Sequence, residues 1–305
     1  MHIRNPMEWV AGQIESTNLI GSATPQEYWP VGAAGAMPVI RKITMADVRD
    51  AIRRGLDDFA AARTDVIFLC MIYPLIGVLI SMAEAHGRLL PLLFPTAAGF
   101  ALVGPLAATG LYEMSRQREL TGKISWLDTF KVIRSPSIGA ITGLGLLLIG
   151  LYLAWLAVAQ VIYDFTMGPM PPASARLFIE GMFTTSAGWA MILTGLAVGA
   201  MFGAGVVAIS VVSFPLMLDR PVGFSTAIAT SVQALLRNPG PLAAWSLIVA
   251  ASLFIGALPF FVGLIVVLPV LGHSTWHLYR KVVVPPAEMS TLSPQPDATP
   301  QPSGS

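Results

Sequence analysis

His273 and His277 stand four residues apart in the run Gly272-His273-Ser274-Thr275-Trp276-His277-Leu278-Tyr279-Arg280-Lys281, so a helix there presents both imidazoles on one face. Such a pair can ligate haem iron or copper, yet two ligands from one turn do not complete a metal site. The other two histidines, His2 and His86, fall outside the predicted membrane core. The remaining ligands would have to come from a second protomer's histidines or from Glu113. With Trp276 and Tyr279 alongside, the two histidines read more simply as interfacial side chains in a boundary belt, and no cofactor is expected.

The acids speak through their positions. Asp65, Glu84, Glu113, Asp164 and Asp219 all fall near the ends of apolar stretches, and no ionisable residue sits mid-stretch. Proton-coupled transport needs such a group near the bilayer centre, so a pump is disfavoured. A path for a small uncharged solute past Gln160, Ser210, Ser213 or Ser246 stays open. No Ser–His–Asp order, phosphate loop or paired-carboxylate motif stands out, and no catalytic residues are assigned. Gly195, Gly199 and Gly203 recur every four residues beside Ala200, Ala204 and Ala208, the spacing that lets helix backbones approach closely in lipid. Their partner is another helix of this chain or a second protomer. Cys70 is the single cysteine, which excludes a disulfide within one chain.

The elements that carry these residues are membrane helices. The 305 residues are 54% hydrophobic and 11% charged, with a mean hydropathy of +0.69 and a net charge of +1. Soluble domains carry about 25% charge, and nothing in the balance suggests nucleic acid. Between Arg237 and His273 there is no charge at all. One helix through that gap would run roughly 50 Å against a bilayer core of about 30 Å, so the chain must fold back at Gly256-Ala257-Leu258-Pro259. Two spans result there, and four more are predicted at about 66–83, 92–112, 138–162 and 187–216, with a Pro-rich loop over 163–185. The fold class is therefore all-α: a polytopic membrane protein of six transmembrane helices with short amphipathic surface helices.

Outside the spans, residues 1–40 read as a loose arm without an apolar signal-peptide core, and 284–305 as a disordered Pro- and Ser-rich tail. Residues 41–283 form the membrane domain. Over 44–63, Met45, Val48, Ile52, Leu56 and Phe59 recur at helical spacing opposite Asp47, Asp50, Arg53, Arg54, Asp57 and Asp58. Thr44 with Asp47 supplies a start signal resembling a capping box. This helix should lie on the membrane surface or on the ends of the spans. Ser125-Trp126-Leu127-Asp128, running to Arg134-Ser135-Pro136, and Ser225, running to Arg237-Asn238-Pro239, open two further stretches of that kind. Each precedes a span, so the chain reads as three repeats of surface helix, span out, span back. Of 18 Lys and Arg, only Arg88 and Arg176 fall on the side opposite the termini, which places both ends in the cytoplasm.

The run from Phe260 to Arg280, Gly110-Leu111-Tyr112-Glu113 and the stretch from Phe214 to Pro239 resemble a family of bacterial integral membrane proteins catalogued as a domain of unknown function. The resemblance covers roughly 40–283. It implies a helical protein of the inner membrane, and some members carry the label of cytochrome c oxidase subunit I. A haem–copper core draws its histidines from several spans, whereas this chain has four in all. The resemblance is therefore carried over for fold and location alone. The expected role is that of a non-enzymatic accessory, assembly or interaction component, in contact with the bilayer, other membrane-complex subunits or a second copy. The alternatives are a transporter or channel for a small uncharged solute and a haem- or copper-handling protein.

Overall fold

The computed structural model describes residues 37–70, 77–78, 82, 90–259 and 261–285. Among these there is no strand, only an isolated antiparallel bridge between Ile40 and Val283. The first helix, α1 (Met45–Cys70), starts where the sequence says it should. The backbone N–H and the hydroxyl of Thr44 both donate to Asp47 Oδ2 at 2.8 Å, satisfying a donor that the helix itself cannot. A kink at Ala62 (φ −118°, ψ 15°) divides the amphipathic part of this helix from the part that runs on into the region of the first predicted span.

Its inner face also differs from the expected one. Val48, Ala51, Gly55, Asp58 and Ala62 are buried, while Met45 and Leu56 are exposed. The stripe that packs is the small-residue stripe, displaced around the helix from the one defined by the largest apolar side chains. Small residues let backbones approach, and near a membrane the large apolar side chains need not point at protein.

Next come α2 (Leu93–Ala107) and α3 (Thr109–Thr121), which meet at Ala108 just after Pro105, whose ring and missing N–H weaken the ladder. Gly122, at φ 71°, ends α3 in the left-handed conformation. A 3-10 helix, Trp126–Arg134, carries a full capping box between Ser125 and Asp128. Then follow α4 (Ile138–Thr166), α5 (Ala175–Thr184), α6 (Ser186–Ser210), α7 (Ser213–Asp219), α8 (Phe224–Arg237), α9 (Pro239–Ala257) and α10 (Leu264–Val282). Helix α5 lies within the segment read as an outer loop; the Ser174 hydroxyl caps it by accepting from Leu177 N–H. Helix α8 begins after Gly223 without a side-chain cap, so Ser225 is not its cap.

Four stretches are long and apolar enough to cross a bilayer: Leu90–Thr121, Ile138–Thr166, Ser186–Asp219 and Pro239–Ala257. They match the second to fifth predicted spans. The first predicted span falls mostly outside the described residues. The sixth corresponds to α10, which does not qualify by composition. The fold-back between α9 and α10 is present and tight, since a Cβ on Gly263 would sit 2.8 Å from Gly256 Cα.

Only 6% of the most apolar window of Ser186–Asp219 is buried within the chain. Leu193, Leu196, Met201, Leu153 and Leu247 all point outward. Helices apolar on every side require an apolar surrounding. The best-buried large side chains, Trp276, Tyr279, Phe214 and Met114, lie instead at the polar end of the bundle, where α10 packs chiefly on α1 and also meets α3.

Candidate functional site

At that polar end the two histidines meet a residue that the sequence reading had assigned to an exposed face. Asp58 is only 4% exposed, and its carboxylate is the centre of a hydrogen-bonded cluster joining α1, α3 and α10. His277 Nε2 lies 2.9 Å from Asp58 Oδ2, and Ser115 Oγ lies 2.6 Å from the same oxygen. Arg118 Nη1 approaches Oδ1 at 2.5 Å. Ser115 Oγ is also 2.7 Å from His273 Nδ1.

The donors follow from elementary inventory. A carboxylate only accepts, so the Ser115 hydroxyl and His277 Nε2–H both donate to it. Ser115 Oγ then accepts from His273 Nδ1–H, which fixes the His273 tautomer and leaves its Nε2 a buried atom without a hydrogen bond. Burial works against the charged form of Asp58, but the hydrogen bonds from His277 and Ser115 prevail and hold its carboxyl below the ordinary range.

Two ion-pair groups extend this centre. Arg280 pairs with Glu119 at 2.9 Å and reaches Asp219 at 3.6 Å; Glu119 also accepts from Trp276 Nε1 at 3.0 Å. Tyr279 donates to Asp219. On the outer side Lys281 and Arg54 each lie 2.9 Å from Asp50, whose carboxyl is held low chiefly by the hydrogen bond from Lys281.

The chain's entry and exit are fastened to the same end. Asn238, buried at the α8–α9 junction, accepts from Ile43 N–H at 2.8 Å and donates to the Arg41 carbonyl at 3.0 Å. Val284 N–H donates to the Val39 carbonyl, and Arg220 donates to the Val284 carbonyl. Pro38, Ile40 and Val284 are therefore buried at this end, although they fall in the segments read as a loose arm and a disordered tail; residues 1–36 and 286–305 lie outside the described residues.

The aromatic-belt reading of the two histidines does not hold. His273 is fully buried, and Trp276 and Tyr279 are each 1% exposed, so none of the three faces a headgroup layer. The i,i+4 geometry was right in placing both imidazoles on one face, and the acid there is Asp58, not Glu113: His277 meets it directly and His273 through Ser115. Glu113 pairs with Arg116 and Gln117. Among the described residues no group of three or more His, Cys, Asp and Glu side chains is placed to hold a metal ion. The signal for Asp58 was its place in the register of Ala51, Gly55 and Ala62.

The glycine series of α6 divides. A Cβ on Gly199 would come 3.1 Å from the Trp155 ring, whereas Gly195 and Gly203 have open space within 4 Å. The closest backbone approach beside the site is elsewhere: a Cβ on Gly55 would lie 2.1 Å from Ser274 Oγ and 2.6 Å from Ser274 N. That glycine lets α1 and α10 come close enough for Asp58 to reach His277.

Apolar helices exposed to their surroundings, joined to a compact polar end, define a polytopic helical membrane protein. Residues 93–219 match the model of a family described as "Predicted integral membrane protein (DUF2189)". That family is a domain of unknown function, as the resemblance in the sequence implied. No curated protein and no solved structure matches the chain.

Proposed function

We propose that this chain is a six-span protein of the bacterial inner membrane with both termini in the cytoplasm, acting as a non-enzymatic accessory or interaction component. Its three surface elements, the first part of α1, the 3-10 helix Trp126–Arg134 and α8, would then begin three repeated hairpin units at the cytoplasmic face. Other membrane-complex subunits or a second copy would contact that face. The observation that carries the reading is the position of Asp58 between Ser115 and His277. In a nucleophilic relay the imidazole stands between hydroxyl and carboxylate. Here the carboxylate stands between hydroxyl and imidazole, and the base that touches Ser115, His273, has no acid behind it. The cluster spends its polar groups on joining three helices.

One nitrogen of each imidazole is occupied, His277 Nε2 by Asp58 and His273 Nδ1 by Ser115, while His273 Nε2 is buried without a hydrogen bond, so haem or copper handling is kept as a third reading for the metal-content measurement below. An apolar cavity of about 590 Å³ between α2, α9 and the start of α10 favours the solute-path reading as the alternative. Three measurements on the full-length chain test the proposal together. Reporter fusions after Arg118 and Arg280 should report the cytoplasm, and fusions after Glu84 and within 169–172 the periplasm. The protein purified in mild detergent should bring down other membrane-complex subunits or a second copy, and should show no Soret band and no stoichiometric copper. A periplasmic signal after Arg280 overturns the topology. A one-to-one metal content lost in both His273→Gln and His277→Gln overturns the role.

A further inference from the structure

Beside the Asp58 cluster the polar end has an open cleft of about 540 Å³, within the range of small-molecule sites. Its floor is made by the buried groups Asp58 and Ser115, and its rim by the exposed residues Arg41, Arg54 and Asp57. Five Arg and Lys side chains line it, Arg41, Arg54, Arg118, Arg280 and Lys281, against three carboxylates among the described residues, Asp57, Asp58 and Glu119. The lining itself carries an excess of positive charge, while Asp50 and Asp219, which pair with Arg54, Lys281 and Arg280, stand outside it.

These cations are also held in place. Arg118 is fixed by Asp58, and Arg280 by a two-pronged contact with Glu119. Arg54 uses Nε on Asp50, which leaves its two terminal nitrogens to be directed elsewhere; Lys281 meets the same carboxylate. Guanidinium and ammonium groups converging on one concavity match the tetrahedral oxygens of a phosphoryl group, which accepts several charge-assisted hydrogen bonds at once. A lone sulfate-sized anion would underfill the space, so the ligand carries a further group.

We propose that this cavity binds the phosphoryl end of an anionic phosphate ester, with Arg54, Arg118, Arg280 and Lys281 as its donors. A site at the polar end of a membrane bundle can draw that chemistry from a lipid headgroup or from a soluble phosphate. Titration calorimetry on the full chain in dodecyl maltoside micelles distinguishes them, with pyrophosphate as the soluble probe and dihexanoyl phosphatidic acid as the lipid probe. Saturable binding of at least one probe is expected, and the tighter of the two identifies the source. Arg54→Gln, an exposed position whose loss spares the Asp58 cluster, should weaken that binding tenfold or more, and Arg54→Lys should restore part of it. Arg134→Gln, at the same end but outside the cavity, should leave binding unchanged. Absence of saturable binding for both probes overturns the proposal. So does wild-type affinity in Arg54→Gln, or an equal loss in Arg134→Gln.

Discussion

Gly55→Ala tests the central packing claim with one methyl group. Its Cβ would lie 2.1 Å from Ser274 Oγ, 2.6 Å from Ser274 N and 2.8 Å from Ser274 Cα. Relaxed contacts between carbon atoms lie at about 3.5–4.0 Å, so α1 and α10 must move apart by roughly 1 Å. Overpacking of this kind costs about 1–3 kcal/mol. Alanine returns close to 1 kcal/mol in helix propensity. The expected net loss is therefore up to about 2 kcal/mol, seen as a fall in Tm of up to about 8 °C for the purified chain in detergent. Gly195→Ala, with open space around it, should be neutral or slightly stabilising. The Ser274 hydroxyl is buried without a hydrogen bond, so Ser274→Ala alone should cost little. Combined with Gly55→Ala it removes the 2.1 Å contact but not the two to backbone atoms, and should recover only part of the loss. If Gly55→Ala is as stable as Gly195→Ala, or if the double variant recovers fully, the close approach of the two backbones is wrong.

Two further outcomes follow from the same structure. Asp58→Asn keeps the shape but removes the charge that Arg118 and His277 face, and should cost about 2–3 kcal/mol, the arginine being partly solvated. Because Asp58 has a lowered folded pKa, its ionised form adds stability above the ordinary Asp value of about 3.9, which fades as pH falls below that value towards the folded one. A melting series from pH 6 to pH 3 should show that acid-side loss in the wild type and a smaller one in Asp58→Asn. Gly199→Leu, set against the Trp155 ring, should lower Tm more than Gly150→Leu, which meets nothing within 4 Å; equal tolerance in thermal melts would remove Gly199 from the packing of α4 and α6.

What the sequence by itself determined is what local composition controls. Apolar runs of the right length mark the four helices long and apolar enough to cross a bilayer, three of them within a few residues. The charge-free gap after Arg237, too long for one crossing, fixes the fold-back near Pro259. Single polar residues at boundaries predicted the Thr44–Asp47 start and the opening of a stretch at Ser125, where the bonds close within three residues. The i,i+4 spacing placed His273 and His277 on one face.

Tertiary structure alone decided what that face meets. Asp58 and His277 are 219 positions apart, and the bond between them depends on how deeply α1 settles on α10. Reading α1 by its largest apolar residues pointed Leu56 inward and Asp58 outward, and both are reversed. Beside a membrane, water no longer forces large apolar side chains inward, so residue size stops reporting the buried face. The helices settle where backbones can approach, along Ala51, Gly55 and Ala62, and that contact brings Asp58 in with them.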